Sequence, residues 1–267
     1  MASGTDSMRL TLLLLVFGVA VAAPAAAAAL PDCAGPAEIR DALLLRVEKN
    51  GSVIFTDGRA VHLEGIRLPG GVADRAPQGF ADQALGALTA LTRRAPLTLT
   101  AVPPKEDRYD RVRGQLFGAD GSWIQLSLLK SGLARVEIAP DRSECAGELF
   151  AAEAEARAAH RGLWSVPAYQ VRTPQNVGRD VGTFQIVEGK VLNADLKEGR
   201  AYLNFGADWR TDFTVTVEPE DMPNFRRTGV DPRSYVGQTI RVRGIVQSLN
   251  GPEIEAANPQ GIEVVTP

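Results

Sequence analysis

Residues 57–69 read DGRAVHLEGIRLP, and this run decides the fold. Asp57-Gly58 is a dipeptide suited to the tight turn of a hairpin. After it, residues 60–68 carry Val61, Leu63, Ile66 and Leu68 in strand-like order, and Pro69-Gly70-Gly71 ends the run. Ahead of the turn, residues 51–55 form the other arm, and residues 42–47 an earlier strand. Downstream, residues 78–94 place Phe80, leucines and alanines at helical spacing, which predicts an amphipathic helix. Strands over 97–102 and 113–117 follow, then a second turn signal at Asp120-Gly121. Residues 124–132 read as a short helix closed by Gly132, residues 134–138 as a strand, and residues 144–161 as an alanine- and glutamate-rich helix. Gly162 lies just past that helix, and Leu163 and Trp164 turn back onto the core.

Residues 165–182 hold two prolines and no periodicity, the composition of a linker. From Thr183 the chain is strand-dominated, with strands over 184–192, 201–205, 212–217, 239–246 and 261–265 and a short helix over 218–227. Three strands, a helix and two strands is the order of an OB-type five-stranded barrel. The expected fold class is therefore α+β and mainly β, with a helix-bearing barrel over 34–164, a linker over 165–182 and a second, OB-type barrel over 183–267.

Residues 1–29 read as an export signal. Arg9 supplies the positive charge, residues 10–23 an apolar run, and Pro24 with the alanine tract 25–29 a small-residue exit. The run is shorter than the ~20 residues of a spanning helix. The expectation is cleavage, no stable membrane insertion afterwards, and a periplasmic or secreted location. In an oxidising compartment Cys33 and Cys145 are expected to pair.

Hydrophobic residues make up 45% and charged residues 23%, so the chain has an ordinary globular composition. Two cysteines and two histidines exclude a four-thiolate or histidine-rich metal centre. Residues 30–180 carry 19 basic and 19 acidic side chains, and residues 181–267 carry 9 and 12. Neither half offers a general basic field for a polyanion.

Four segments in order carry a resemblance. Residues 57–69 match a strand of the form DGR-x-V-R-L-x-G-I-D-x-P-E, and Asp107-Arg108-Tyr109-Asp110-Arg111 matches D-[KR]-Y-G-R. Residues 120–136 match a turn and helix ending L-x-x-G-L-A-x-V, and residues 148–164 a helix ending in G-L-W. On these grounds residues 46–164 resemble the staphylococcal nuclease (thermonuclease) family, whose core is an OB-type barrel with added helices. The C-terminal segment around Tyr202–Gly206 and Trp209–Phe213 looks like the OB-type domain often appended to exported members.

The resemblance implies calcium-assisted phosphodiester hydrolysis, with carboxylate ligands, a glutamate that handles the water and two arginines on the developing charge. Little of this set is present. The family's D-G-D-T falls on Lys49-Asn50-Gly51-Ser52, the arginine of V-R-L on His62, the aspartate of G-I-D on Arg67 and the glutamate of P-E on Gly70. Arg111 is retained, and the glycine before it is Asp110. No cofactor is expected, since the calcium ligands are not retained.

Arg111 and His62 stand as the catalytic candidates, and Arg67, Arg111 and Arg113 as anion-binding ones, because guanidinium groups suit phosphate. Against this, Arg67 pairs with Glu64 or Asp107 and plugs the cleft, and Glu106, Asp107 and Asp110 solvate a loop. In the second half, Tyr202, Phe205, Trp209 and Phe213 are candidates for base stacking among Arg210, Arg226, Arg227, Arg241 and Arg243. Strand alternation puts Arg241 and Arg243 on one face, read as solvated. The leading expectation is a catalytically degenerate binding module for nucleic acid, another phosphate-bearing anion or a protein partner. The alternative is a phosphodiesterase with a rebuilt site.

Overall fold

The computed structural model describes Met1 and residues 30–265, apart from residues 72, 78, 95 and 209. The expected export signal and Trp209 lie outside the described residues.

The first half contains strands β1 (Ala37–Ala42), β2 (Leu44–Val47), β3 (Val53–Phe55), β4 (Ala60–Leu63) and β5 (Ile66–Arg67), helix α1 (Phe80–Thr92), strands β6 (Leu97–Thr100) and β7 (Val112–Phe117), helix α2 (Ile124–Lys130), strand β8 (Arg135–Val136) and helix α3 (Ala146–Ala158). Six strands pair in the order β1-β6-β7-β4-β3-β2. The two end strands follow one another in the chain, separated by Leu43 alone, so the sheet curls into a barrel. All pairings are antiparallel except that of β4 with β7. Phe55, Val61, Leu97, Leu99 and Leu116 fill the interior, and Leu88, Leu128 and Leu149 bring the three helices onto it.

The strand expected over 60–68 is broken in two. Gly65 takes φ 82°, and a Cβ there would lie 2.3 Å from Leu149 Cδ1. Glycine lets the chain turn beneath α3, and β5 then pairs with β8 outside the barrel sheet. This break carries Arg67 away from β4. Gly132 has a similar role, since a Cβ there would meet the Arg161 carbonyl oxygen at 2.1 Å. The close approach lets Leu163 N–H donate to the Gly132 carbonyl at 2.9 Å and tucks Leu163 and Trp164 into the core. Cys33 and Cys145 are joined by a disulfide, with Cα atoms 5.1 Å apart, at the N-terminus of α3.

The second half contains strands β9 (Phe184–Lys190), β10 (Asn193–Lys197), β11 (Arg200–Asn204) and β12 (Thr214–Val217), helix α4 (Met222–Arg227), and strands β13 (Thr239–Ile245), β14 (Gln247–Ser248), β15 (Pro252–Glu255) and β16 (Ile262–Val264). One sheet runs β10-β11-β12-β15-β14 and another β16-β13-β9. Here too one pairing is parallel, β12 with β15. Leu203, Phe213, Val215, Phe225, Ile240 and Ile254 form the core. Phe205 and Phe213 lie in it, with ring centroids 5.1 Å apart, and are not available for stacking on a ligand.

The segment expected as a linker packs against the rest of the chain. Residues 165–182 include 3-10 turns at Pro167–Tyr169 and Val177–Asp180, with Tyr169, Val177 and Asp180 buried. Arg172 ties the segment together through Asp180 at 2.7 Å and donates its backbone N–H to the Ile186 carbonyl at 2.8 Å. Its scattered apolar side chains find burial without any period that sequence reading detects.

Polar contacts join the halves. Phe184 N–H donates to the Ala73 carbonyl at 2.8 Å, and Arg135 donates to the Phe184 carbonyl at 2.8 Å. Arg243 Nη1 meets Glu153 Oε2 of α3 at 2.8 Å, and its other terminal nitrogen bonds Glu263. Arg243 therefore corrects the solvated-face reading: its side chain is 2% exposed. Alternation along β13 identified which residues share a face, but not that this face is covered by α3. Arg241, on the same face, bonds Glu188 at 2.5 Å.

Candidate functional site

A groove of about 330 Å³ opens where the β2–β3 turn, β4, β5 and the start of α1 meet. Lys49, Asn50, His62, Arg67, Gly70 and Glu137 are among its lining residues. The turn is shaped by Gly51 N–H donating to the Glu48 carbonyl and by Ser52 N–H donating to Asn50 Oδ1, both at 2.9 Å. The opposite wall is held by Asp74, which accepts from Gly70 N–H at 3.1 Å and from the Tyr169 hydroxyl at 2.9 Å. Arg135 approaches the same carboxylate at 3.4 Å.

Arg67 faces this groove, but its partner is neither Glu64 nor Asp107. Nη1 lies 3.1 Å and 3.3 Å from the two oxygens of Glu137, and the guanidinium sits 5.1 Å from the Phe184 ring centroid. Its Nε is buried without a hydrogen-bond partner. Lys49 is exposed and has no carboxylate partner among the described residues.

His62 also faces the groove, with Nε2 3.7 Å from Glu64 Oε1. Burial of the ring holds its pKa below the usual 6.5; Glu64 pulls the other way, and Arg111 reinforces the lowering. The imidazole is therefore neutral at pH 7 and competent to accept a proton.

Arg111 and Arg113 do not join Arg67 at the groove. Arg111 Nε and Nη2 bond Asp107 at 2.8 Å and 2.6 Å, and Nη1 donates to Ser52 Oγ at 2.9 Å. Burial works against the Asp107 carboxylate, but the Arg111 bonds hold its pKa below the usual range. Arg113 is buried between Glu64, at 2.6 Å, and Asp141, at 2.7 Å and 2.9 Å. The bonds it donates to Asp141, then those to Glu64, raise its pKa and keep it cationic against burial. Among the candidates, Arg67 and His62 share the groove, with Arg67 bonded there to Glu137, while Arg111 and Arg113 are bound to carboxylates away from it. Among the described residues, Glu106 and Asp110 make no side-chain bond to these arginines.

Calcium does not fit this donor set. A hard cation takes several carboxylate and carbonyl oxygens. The groove presents one carboxylate, Glu137, and Arg67 is bonded to it. Among the described residues, the group of three or more His, Cys, Asp and Glu side chains close enough to share one ion is Cys33, Cys145 and Glu148, and both sulfurs belong to the disulfide.

Sequence reading missed Glu137, Asp141 and Phe184. Each comes from a distant element, and none sits in a motif; only the pairing of β5 with β8 brings Glu137 beside Arg67. The lowered His62 pKa sets a pH dependence. The unfolded chain binds this proton first, so His62 favours the native state fully above about pH 6.5, and that share falls as pH drops through the folded pKa. Urea unfolding at pH 7.5 and pH 5.5 is expected to show a smaller difference in the His62→Gln variant than in the parent. An equal difference rules out this role for His62.

Residues 60–166 match the family model of the staphylococcal nuclease homologue. The match begins at β4, ends beyond α3 and includes His62, Arg67, Arg111 and Arg113. It agrees with the OB-like barrel described above and suggests a nuclease-related or nucleic-acid-binding function. No curated protein sequence matches the chain.

Proposed function

We propose that this chain, with a staphylococcal nuclease homologue domain over residues 60–166, is an exported nucleic-acid-binding module that holds phosphodiesters without metal-dependent hydrolysis. One observation carries the reading. The groove offers Lys49 and Arg67 to an anion, while Glu64, Asp107, Glu137 and Asp141 are each bonded to an arginine. A phosphate entering the groove meets Lys49, unpaired among the described residues, and shares Arg67 with Glu137, which engages only Nη1 of that guanidinium.

Export is supported by the composition of residues 1–29 and by the Cys33–Cys145 disulfide, which suits an oxidising compartment. No helix among the described residues is long and apolar enough to cross a membrane. A second OB-type barrel over 183–267 is supported by β12 and β15, whose parallel pairing repeats that of β4 with β7.

The test is fluorescence anisotropy of the purified protein with labelled single-stranded DNA and RNA, in calcium and in chelator, with gels to follow cleavage. Binding is expected to be indifferent to chelator and to weaken with salt. Lys49→Ala and Arg67→Ala are each expected to lower affinity about tenfold, the loss of one charge-assisted contact. Calcium-dependent cleavage that disappears in Arg111→Ala overturns the proposal. A second reading is favoured by the approach of Glu64 to the neutral His62: hydrolysis with His62 as general base. It requires cleavage in chelator that His62→Ala abolishes.

A further inference from the structure

The other prominent concavity lies in the second half, on the β10-β11-β12-β15-β14 sheet, and measures about 620 Å³. The pairing registers line up two rows of side chains across the strands. One row is Asn193, Asn204, Thr214 and Glu253, extended by Gln247 on β14; the next is Asp195, Tyr202, Thr216 and Glu255. Side chains at these alternating positions share one face, and Ala201, Leu203, Val215 and Ile254 point the other way into the core. The five strands span roughly 19 Å.

This face is built of hydrogen-bonding groups held in place. Thr214 Oγ1 donates to Asn204 Oδ1 at 3.4 Å, and Thr216 Oγ1 to Glu253 Oε1 at 3.2 Å. Those bonds leave the Asn204 amide N–H groups and Glu253 Oε2 without a protein partner among the described residues, although both residues are under 10% exposed. Tyr202 is the aromatic surface in the trough, and Leu196 and Leu249, 52% and 54% exposed, stand among its lining residues on the β10 and β14–β15 sides.

The charges select the ligand. Glu253 and Asp195 would repel a phosphate chain, against one lining cation, Lys197, that has no carboxylate partner among the described residues. The Arg200 charge is already met by Glu218 at 2.5 Å. Burial also pushes the Glu253 carboxyl up from its ordinary pKa, a sign of a carboxylate short of solvation. A sugar hydroxyl both donates and accepts, so one hydroxyl satisfies an amide N–H and a carboxylate oxygen together. A tyrosine ring presents an apolar body to a sugar's C–H face. We infer that the outer face of this sheet is a binding site for a neutral linear oligosaccharide, held by Asn204 and Glu253 and stacked on Tyr202.

The experiment is an amide NMR titration of the full chain with cellotetraose, maltotetraose and chitotetraose, followed by calorimetry with any that binds. At least one is expected to shift resonances around Asn204, Thr214 and Glu253, with an affinity indifferent to salt. Tyr202→Ala and Glu253→Gln are each expected to weaken it about tenfold. Asn204→Asp, a near-isosteric change, gives a second reading if Tyr202→Ala disturbs the sheet. The inference fails if none of the three sugars shifts these resonances. It also fails if single-stranded DNA shifts them with a negative salt dependence, because the face then reads phosphate. These outcomes are independent of DNA binding at the groove of the first half, whose resonances are separate.

Discussion

Glu153→Ala is expected to lower unfolding stability by about 3–5 kcal/mol, the cost of breaking a buried ion pair by removing one partner. Glu153 is a residue of α3 with a side chain 1% exposed. It accepts from Val136 N–H at 2.7 Å and from Arg243 Nη1 at 2.8 Å, and Arg157 lies 3.4 Å away. Removing the carboxylate leaves Arg243 inside protein with Glu263 and the Val136 carbonyl as its remaining partners, with Nε lacking one and Phe150 stacked 4.4 Å from its guanidinium carbon. Burial works against the charged form of Arg243, and Glu153 and Glu263 together outweigh it. The combined replacement Glu153→Leu with Arg243→Met removes both charges and is expected to cost much less than the single change. Urea denaturation of the parent, both single variants and the double gives the coupling directly. A loss below about 1 kcal/mol in Glu153→Ala refutes the claim that this pair is desolvated.

Breaking the disulfide has an effect of similar size through a different route. Cys33 and Cys145 close a loop with a sequence separation of 112. Chain-entropy estimates put the worth of such a cross-link at about 4–5 kcal/mol. Cys33→Ser with Cys145→Ser is expected to show that loss in denaturant titrations, with the native α3 retained at low denaturant. Reduction of the parent is expected to reproduce it. A reduced protein as stable as the oxidised one shows that the unfolded chain gains no freedom when the bond is cut.

The sequence carried the barrel of the first half well, because its turns are punctuated by Asp57-Gly58, Pro69-Gly70-Gly71 and Asp120-Gly121, and its helices have clear spacing. It did not carry β1, where Ile39 and Ala42 are the buried apolar residues in a strand of otherwise polar or small side chains. Nor did it carry the break at Gly65, which depends on Leu149 arriving from α3. In the site, residue types were legible and partners were not. Arg67, Arg111 and Arg113 look alike in sequence, yet one opens on the groove with Glu137 and two are bound to carboxylates elsewhere. What covers a face is a tertiary fact, which is why Arg243 read as solvated and is buried.

The Asp74 carboxylate has a consequence for how such a protein can be rearranged. It gathers Gly70 from the groove wall, Arg135 from β8 and Tyr169 from the segment between the halves. Arg243 reaches back across the seam in the opposite direction, from the second half to α3. The two halves are therefore not interchangeable cassettes. A foreign barrel grafted after residue 165 would take from Asp74 the Tyr169 hydroxyl, from Arg135 the Phe184 carbonyl and from Glu153 the Arg243 guanidinium, so the partnership constrains which sequences can follow the first barrel at all.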